Sequence, residues 1–180
     1  MQRIAKIIRV AAMTAAAVLA ASSVSSVASA QDAKATYEQS QVDAGFKVFK
    51  GSDCAGCHGW AGNGQKIGEN PDGPSLRSID MDDAVLKETI LCGRPGTNMP
   101  SHDPKAYTDD RCYGMDAAAA EGMTPHKGKP MTSDQADDLV AYIQTELVGK
   151  SDKPTLEECQ KYYGKKPVCN AYKWAAKWRA

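Results

Sequence analysis

Residues 51–60, GSDCAGCHGW, set Cys54, Cys57 and His58 at Cys-x-x-Cys-His spacing. Side chains of these types can do three kinds of chemistry: cycle between dithiol and disulfide, supply half of a zinc site, or seat a haem covalently. A redox dithiol belongs in a thioredoxin-like βαβ setting, and nothing in the chain alternates apolar and polar residues as a strand does. A structural zinc site needs a second ligand pair at short spacing, which His102, His126 and the other cysteines do not offer. The haem reading uses only what is present: two thiols form thioethers with the vinyl groups, and His58 ligates iron from the same turn.

A haem held in this way asks for a sixth iron ligand. The methionines at 81, 99, 115, 123 and 131 are the candidates, beside a second histidine. Met99 stands in GRPGTNMPSHD, where Gly96 and Pro100 make a tight, stiff loop able to hold a thioether against a metal. Met123, just ahead of the last helix, is the rival. Met81 is expected to pack at a helix start, and His102 and His126 read as exposed polar residues of hydrophilic loops. An axial methionine raises the reduction potential, which would make the protein an acceptor of electrons.

The elements that must position these groups are helices. Val42, Phe46 and Phe49 recur at helical spacing and predict a helix over 41–50, ending at Gly51 just before the motif. A Gly- and Asn-rich loop follows. Two acids in a first turn and Gly93 past the end predict a second helix from 82 or 83 to 92. Residues 93–115 are too rich in proline and glycine for regular structure, and 116–130 read mainly as an inserted loop. Thr132 and Gln135 have capping-box spacing and open a last helix through Leu139, Val140, Ile143 and Leu147 to Gly149. The fold class is therefore all-α, with long loops that need something to wrap around.

Three basic residues, an apolar run from Val10 to about Leu19 and the ending Ala28-Ser29-Ala30 read as a secretory signal peptide. The expected organisation is a signal peptide at 1–30, a haem domain at 31–150 and a C-terminal extension at 151–180. Removing residues 1–30 takes away Arg3, Lys6 and Arg9 and no acid, leaving 19 basic against 22 acidic residues, a net charge near −3. With no basic run either, nucleic acid is not an expected partner, nor is stable membrane insertion once the signal is gone. Export to the periplasm implies an oxidising compartment, in which four spare cysteines tend to pair.

With these residues in view, the chain resembles the class I c-type cytochromes, which implies an all-α fold of three or more helices with long loops around one covalent haem c. Gly45 and Phe46 sit where that family crosses its N-terminal helix over the C-terminal one, here at Tyr142. GPSL, residues 73–76, resembles the segment whose proline carbonyl accepts a hydrogen bond from the axial histidine. The resemblance thus gives Pro74 that role toward His58 and places Leu76 over the haem face, with Arg94 in reach of a propionate. Trp60 is expected to pack on the haem.

LCGRPGTNMP, AYTDDRCYG and TLEECQKYYGKKPVC resemble, more narrowly, the four-cysteine cytochromes related to methanol metabolism, which include the cytochrome cL-like acceptors of methanol dehydrogenases carrying pyrroloquinoline quinone (PQQ). That implies a periplasmic electron carrier, not an enzyme. It would take electrons singly from such a dehydrogenase, through a haem edge near Ala55, Gly56 and Pro100, and pass them to a downstream cytochrome c or oxidase. Four cysteines allow three pairings; Cys92–Cys112 and Cys159–Cys169 are favoured, since each closes a local loop. Two other readings are a general shuttle to a terminal oxidase and a haem enzyme with an open iron position. The 116–130 insert has no counterpart that can be placed, and the tail with Trp174 and Trp178 could present an aromatic and basic face if helical.

Overall fold

The computed structural model describes residues 36–173, so the signal-peptide segment and the Trp174/Trp178 tail lie outside the described residues. Helices α1 (Gln39–Gly51), α2 (Cys54–His58), α3 (Asp83–Cys92), α4 (Ser133–Tyr142) and α5 (Leu156–Tyr163) carry the architecture. A π-helical turn, Ile143–Leu147, extends α4, and a 3₁₀ segment, Pro167–Tyr172, follows α5. Among the described residues there is no strand, only the isolated bridges Ser101–Lys127 and Cys112–Met115.

α1 forms because Val42 and Phe49 recur on one face, and both are fully buried. It crosses α4 at Gly45. A Cβ there would lie 1.9 Å from the Asp138 carbonyl oxygen and 2.7 Å from Tyr142 Cβ, so only glycine lets the two backbones approach this closely. The rings of Phe46 and Phe49 each lie 5.4 Å from that of Tyr142, at the tilted angles aromatic pairs prefer. Gly45→Ala is expected to cost about 3 kcal/mol, the upper range for overpacking, because the obstacle is backbone that cannot swing aside. Denaturant unfolding of the intact protein checks this; an unchanged midpoint would contradict the crossing.

The helix starts are capped locally. Asp82 Oδ1 accepts from the Val85 amide at 2.8 Å. Thr132 and Gln135 form a complete capping box, as do Thr155 and Glu158. The second box starts α5, a helix the periodicity of the sequence did not reveal.

The segment from 151 onward is docked on the rest. Arg77, with its side chain 1% exposed, donates to the carbonyls of Ala61 (2.7 Å) and Ser151 and pairs with Glu158 at 2.8 Å. Lys50 Nζ donates to the Tyr162 carbonyl. Trp60 differs from its expected place: it stacks against Tyr162, Tyr163 and Tyr172, at 5.4–6.0 Å between centroids, not toward the haem motif. The reason is non-local, since those aromatics arrive about a hundred residues later. Because a buried charge is satisfied here by groups from three segments, Arg77→Met is expected to lower stability by about 3 kcal/mol, as the Ala61 and Ser151 carbonyls lose their donor and Glu158 keeps only Lys150, at 3.9 Å, as a cationic partner, which outweighs the regained apolar area. A double-mutant cycle with Glu158→Gln, read by denaturant unfolding, should show coupling; additive effects would contradict this.

Candidate functional site

α2 is a single turn that sets Cys54, Cys57 and His58 on one short helix. Asp53, in the left-handed region at φ 63°, makes the corner between α1 and α2. The three side chains face a cavity of about 590 Å³, within the range of roughly 300–1,000 Å³ typical of cofactor sites. Its apolar wall comes from Phe49 of α1, Leu86 and Ile90 of α3, and Leu139 and Ile143 of α4 and its π turn.

The neighbourhood of Cys54 and Cys57 argues against a redox dithiol. Burial pushes the Cys54 thiol up to about 12, with Asp53 adding in the same direction, and burial also raises Cys57. A dithiol catalyst needs the opposite shift. The two are not joined to each other. Nor do the described residues contain a cluster of three or more His, Cys, Asp and Glu side chains able to hold a metal, as a zinc site requires.

His58 is prepared for ligation. The Pro74 carbonyl accepts a hydrogen bond from Nδ1 at 2.8 Å, so Nε2 carries the free lone pair. Gly73 N donates to the Cys57 carbonyl at 3.1 Å and holds the proline turn against α2. Burial lowers the pKa of the imidazole while the Pro74 bond works the other way, and burial is the larger effect, which favours the neutral, ligating form.

Pro74, Leu76, Arg94 and Met99 all line the same cavity. Met99 sits in a turn closed by Thr97, whose hydroxyl donates to the Arg94 carbonyl at 2.8 Å and accepts from Met99 N at 3.2 Å. Gly93, at φ 67°, makes room for this loop: a Cβ would lie 2.7 Å from the Met99 and Pro100 carbonyl oxygens. Met81 lines the cavity as well while packing on the main core. Met123 does not line it; its side chain is 49% exposed and its carbonyl accepts from Gly96 N. Arg94 lies at the exposed margin and makes no ion pair among the described residues, leaving its guanidinium free for a carboxylate.

Two expectations change. His102 is buried, 6% exposed, with Nδ1 hydrogen-bonded to the Lys129 carbonyl at 2.7 Å, whereas His126 is exposed at the cavity margin. The hydrophilic local sequence conceals this because the covering segment comes from 27 residues downstream. Ala55 and Gly56 are buried too: Ala55 belongs to the main core, and Gly56 lies under the 67–70 loop, where Ile67 N donates to its carbonyl at 2.7 Å. They therefore form no open haem edge; Pro100, half-buried on the cavity, stays accessible.

Cys92 is joined to Cys112 and Cys159 to Cys169, with Cα separations of 5.5 and 5.6 Å. The first bridge ties the end of α3, where the Met99 loop begins, to a small second core of Ala106, Tyr107 and Ala120. The second closes the turn between α5 and the 3₁₀ segment.

The chain matches the family model described as Cytochrome c over residues 42–146, from the first turn of α1 into the π turn after α4. Neither the curated proteins nor the solved structures gave a match.

Proposed function

This chain belongs to the cytochrome c family, carries covalently bound haem c and serves electron transfer, and from that premise we propose that it is the periplasmic electron acceptor of a PQQ-dependent methanol dehydrogenase. The observation that carries the haem part is the convergence of Cys54, Cys57, His58 and Met99 on one largely apolar cavity of about 590 Å³. When bound, the haem supplies a one-electron iron couple.

The residues divide the remaining work. Cys54 and Cys57 hold the group covalently, so it is not lost between encounters. His58 offers Nε2 to the iron and is oriented by Pro74. Met99 offers a thioether, a neutral soft ligand that favours the reduced metal and so raises the potential. Leu76 and Ile143 keep water from the site, and Arg94 offers a positive charge for a propionate. Such a protein needs no nucleophile and no general base.

The partner reading is supported by the four-cysteine pattern around this motif and by the signal-like residues 1–30. No described helix is long and apolar enough to cross a membrane. Electrons would leave toward a downstream cytochrome c or oxidase, through small, transient interfaces that allow each partner to separate. The test mixes oxidised protein with a PQQ methanol dehydrogenase and methanol and follows haem reduction over time at several salt concentrations. Rapid, saturable, salt-dependent reduction is expected. No reduction, with the haem still reducible by ascorbate, would exclude this donor and favour a general shuttle.

A further inference from the structure

We propose that residues 123–131 form a strap that locks the Met99 loop, and that His102 is the positioning residue of this lock, so that the thioether resists replacement by external ligands. The inference rests on the reading of Met99 as an iron ligand.

The strap belongs to the insert whose place the sequence leaves open. It runs beside the Met99 loop and exchanges main-chain hydrogen bonds along it: Gly96 N to the Met123 carbonyl (2.9 Å), Ser101 N to the His126 carbonyl (2.9 Å), Gly128 N to the Ser101 carbonyl (2.8 Å) and Met131 N to the His102 carbonyl (2.9 Å). Ser101 and Lys127 form a parallel bridge. The strap is itself anchored: Lys129 Nζ donates to the Gly51 carbonyl at the end of α1, and Met131, 5% exposed, enters the main core just before the α4 cap.

His102 joins what would otherwise be separate pieces. Its amide donates to the Leu91 carbonyl of α3 at 2.9 Å, its carbonyl accepts from the strap, and its ring donates from Nδ1 to Lys129. It is therefore tied to the helix before the Met99 loop and to the strap after it. The Cys92–Cys112 bridge clamps the same loop from its other end.

The physical consequence is a shift in population. A thioether is a weak, neutral ligand, and an anion such as cyanide can take its place only while the loop is open. Each group the strap satisfies must be exposed or orphaned on opening, which keeps the open state rare. Removing the His102 ring donor orphans the Lys129 carbonyl in the closed state and so favours opening.

The experiment compares wild type, His102→Leu and His102→Asn as haem-loaded proteins, by cyanide titration and by the far-red absorption band of thioether-ligated ferric haem. His102→Leu should bind cyanide roughly tenfold more tightly, equivalent to about 1.4 kcal/mol in the opening equilibrium, and lose part of that band. Asparagine can place a donor near Nδ1, so His102→Asn should stay within about twofold of wild type. Wild-type cyanide affinity with an intact band in His102→Leu would overturn the strap while leaving Met99 as ligand. A wild-type spectrum unchanged by Met99→Ala would instead overturn the ligand reading, and the strap with it. Should His102→Leu fail to fold, amide exchange in the wild type decides. Slow exchange at Ser101, Gly128 and Met131 is expected, and exchange at unstructured-peptide rates would overturn the lock.

Discussion

Replacing both Cys54 and Cys57 by alanine is expected to leave a chain without fixed tertiary structure once any loosely held haem is extracted. The cavity wall is built from Phe49, Leu76, Leu86, Ile90, Leu139 and Ile143, which also belong to the main hydrophobic core. The same side chains thus line the cavity and form the core, so on the proposed reading the haem completes that core. A void of 590 Å³, at about 24 cal/mol per Å³, would cost up to about 14 kcal/mol if it stayed open. That is comparable with the whole stability of a typical domain, about 5–15 kcal/mol. Collapse onto the void would have to break the Gly45 crossing or the capped start of α4. The two disulfides still restrain 92–112 and 159–169, so local compactness there should persist. Near-ultraviolet circular dichroism and thermal melting check the expectation: loss of the aromatic signal and of a cooperative transition. A haem-free double variant that melts cooperatively with the native aromatic signal would contradict it.

Met99→Ala is expected to lower the reduction potential by on the order of 0.1 V, within the span of about 0.8 V set by axial ligation, and to make the ferric form high-spin and open to cyanide. The disulfide and the strap should leave the loop in place without the Met99 side chain, so the fold is retained and the loss is confined to the iron. Reduction by a methanol dehydrogenase should become less favourable in proportion. Met123→Ala serves as the control. Its side chain is 49% exposed and faces no part of the cavity, so potential and spectrum should stay as in wild type. The reverse pattern, a changed Met123→Ala and an unchanged Met99→Ala, would transfer the ligand role to Met123.

The parts of this molecule legible in the sequence are those whose signals are local. The 41–50 periodicity, the acids and Gly93 around the second helix and the Thr132/Gln135 box place α1, α3 and α4 together with its π turn within two or three residues of their observed ends. The crossing at Gly45 follows from the family resemblance and is explained by the Asp138 carbonyl beneath it. What was not legible depends on partners far along the chain. Arg77 looks like any loop arginine until Glu158 arrives 81 residues later. Trp60 lacks its aromatic partners until the extension folds back. The strap pairs through main-chain amides, which leave no side-chain pattern, so neither its path nor the burial of His102 could be read. α5 is different: Thr155 and Glu158 stand at the same capping-box spacing as Thr132 and Gln135, a signal that could have marked it.

The central claim is that Cys54, Cys57, His58 and Met99 together hold one haem c in this cavity. The most direct measurement is the intact mass of the protein produced with its haem, combined with thiol titration after denaturation and the far-red ferric spectrum. The expected result is the mass of one haem added to the chain, no free thiol among the six cysteines, and the thioether band present. Two titratable thiols at Cys54 and Cys57 with no added mass would contradict covalent attachment, and an added haem without the band would contradict Met99.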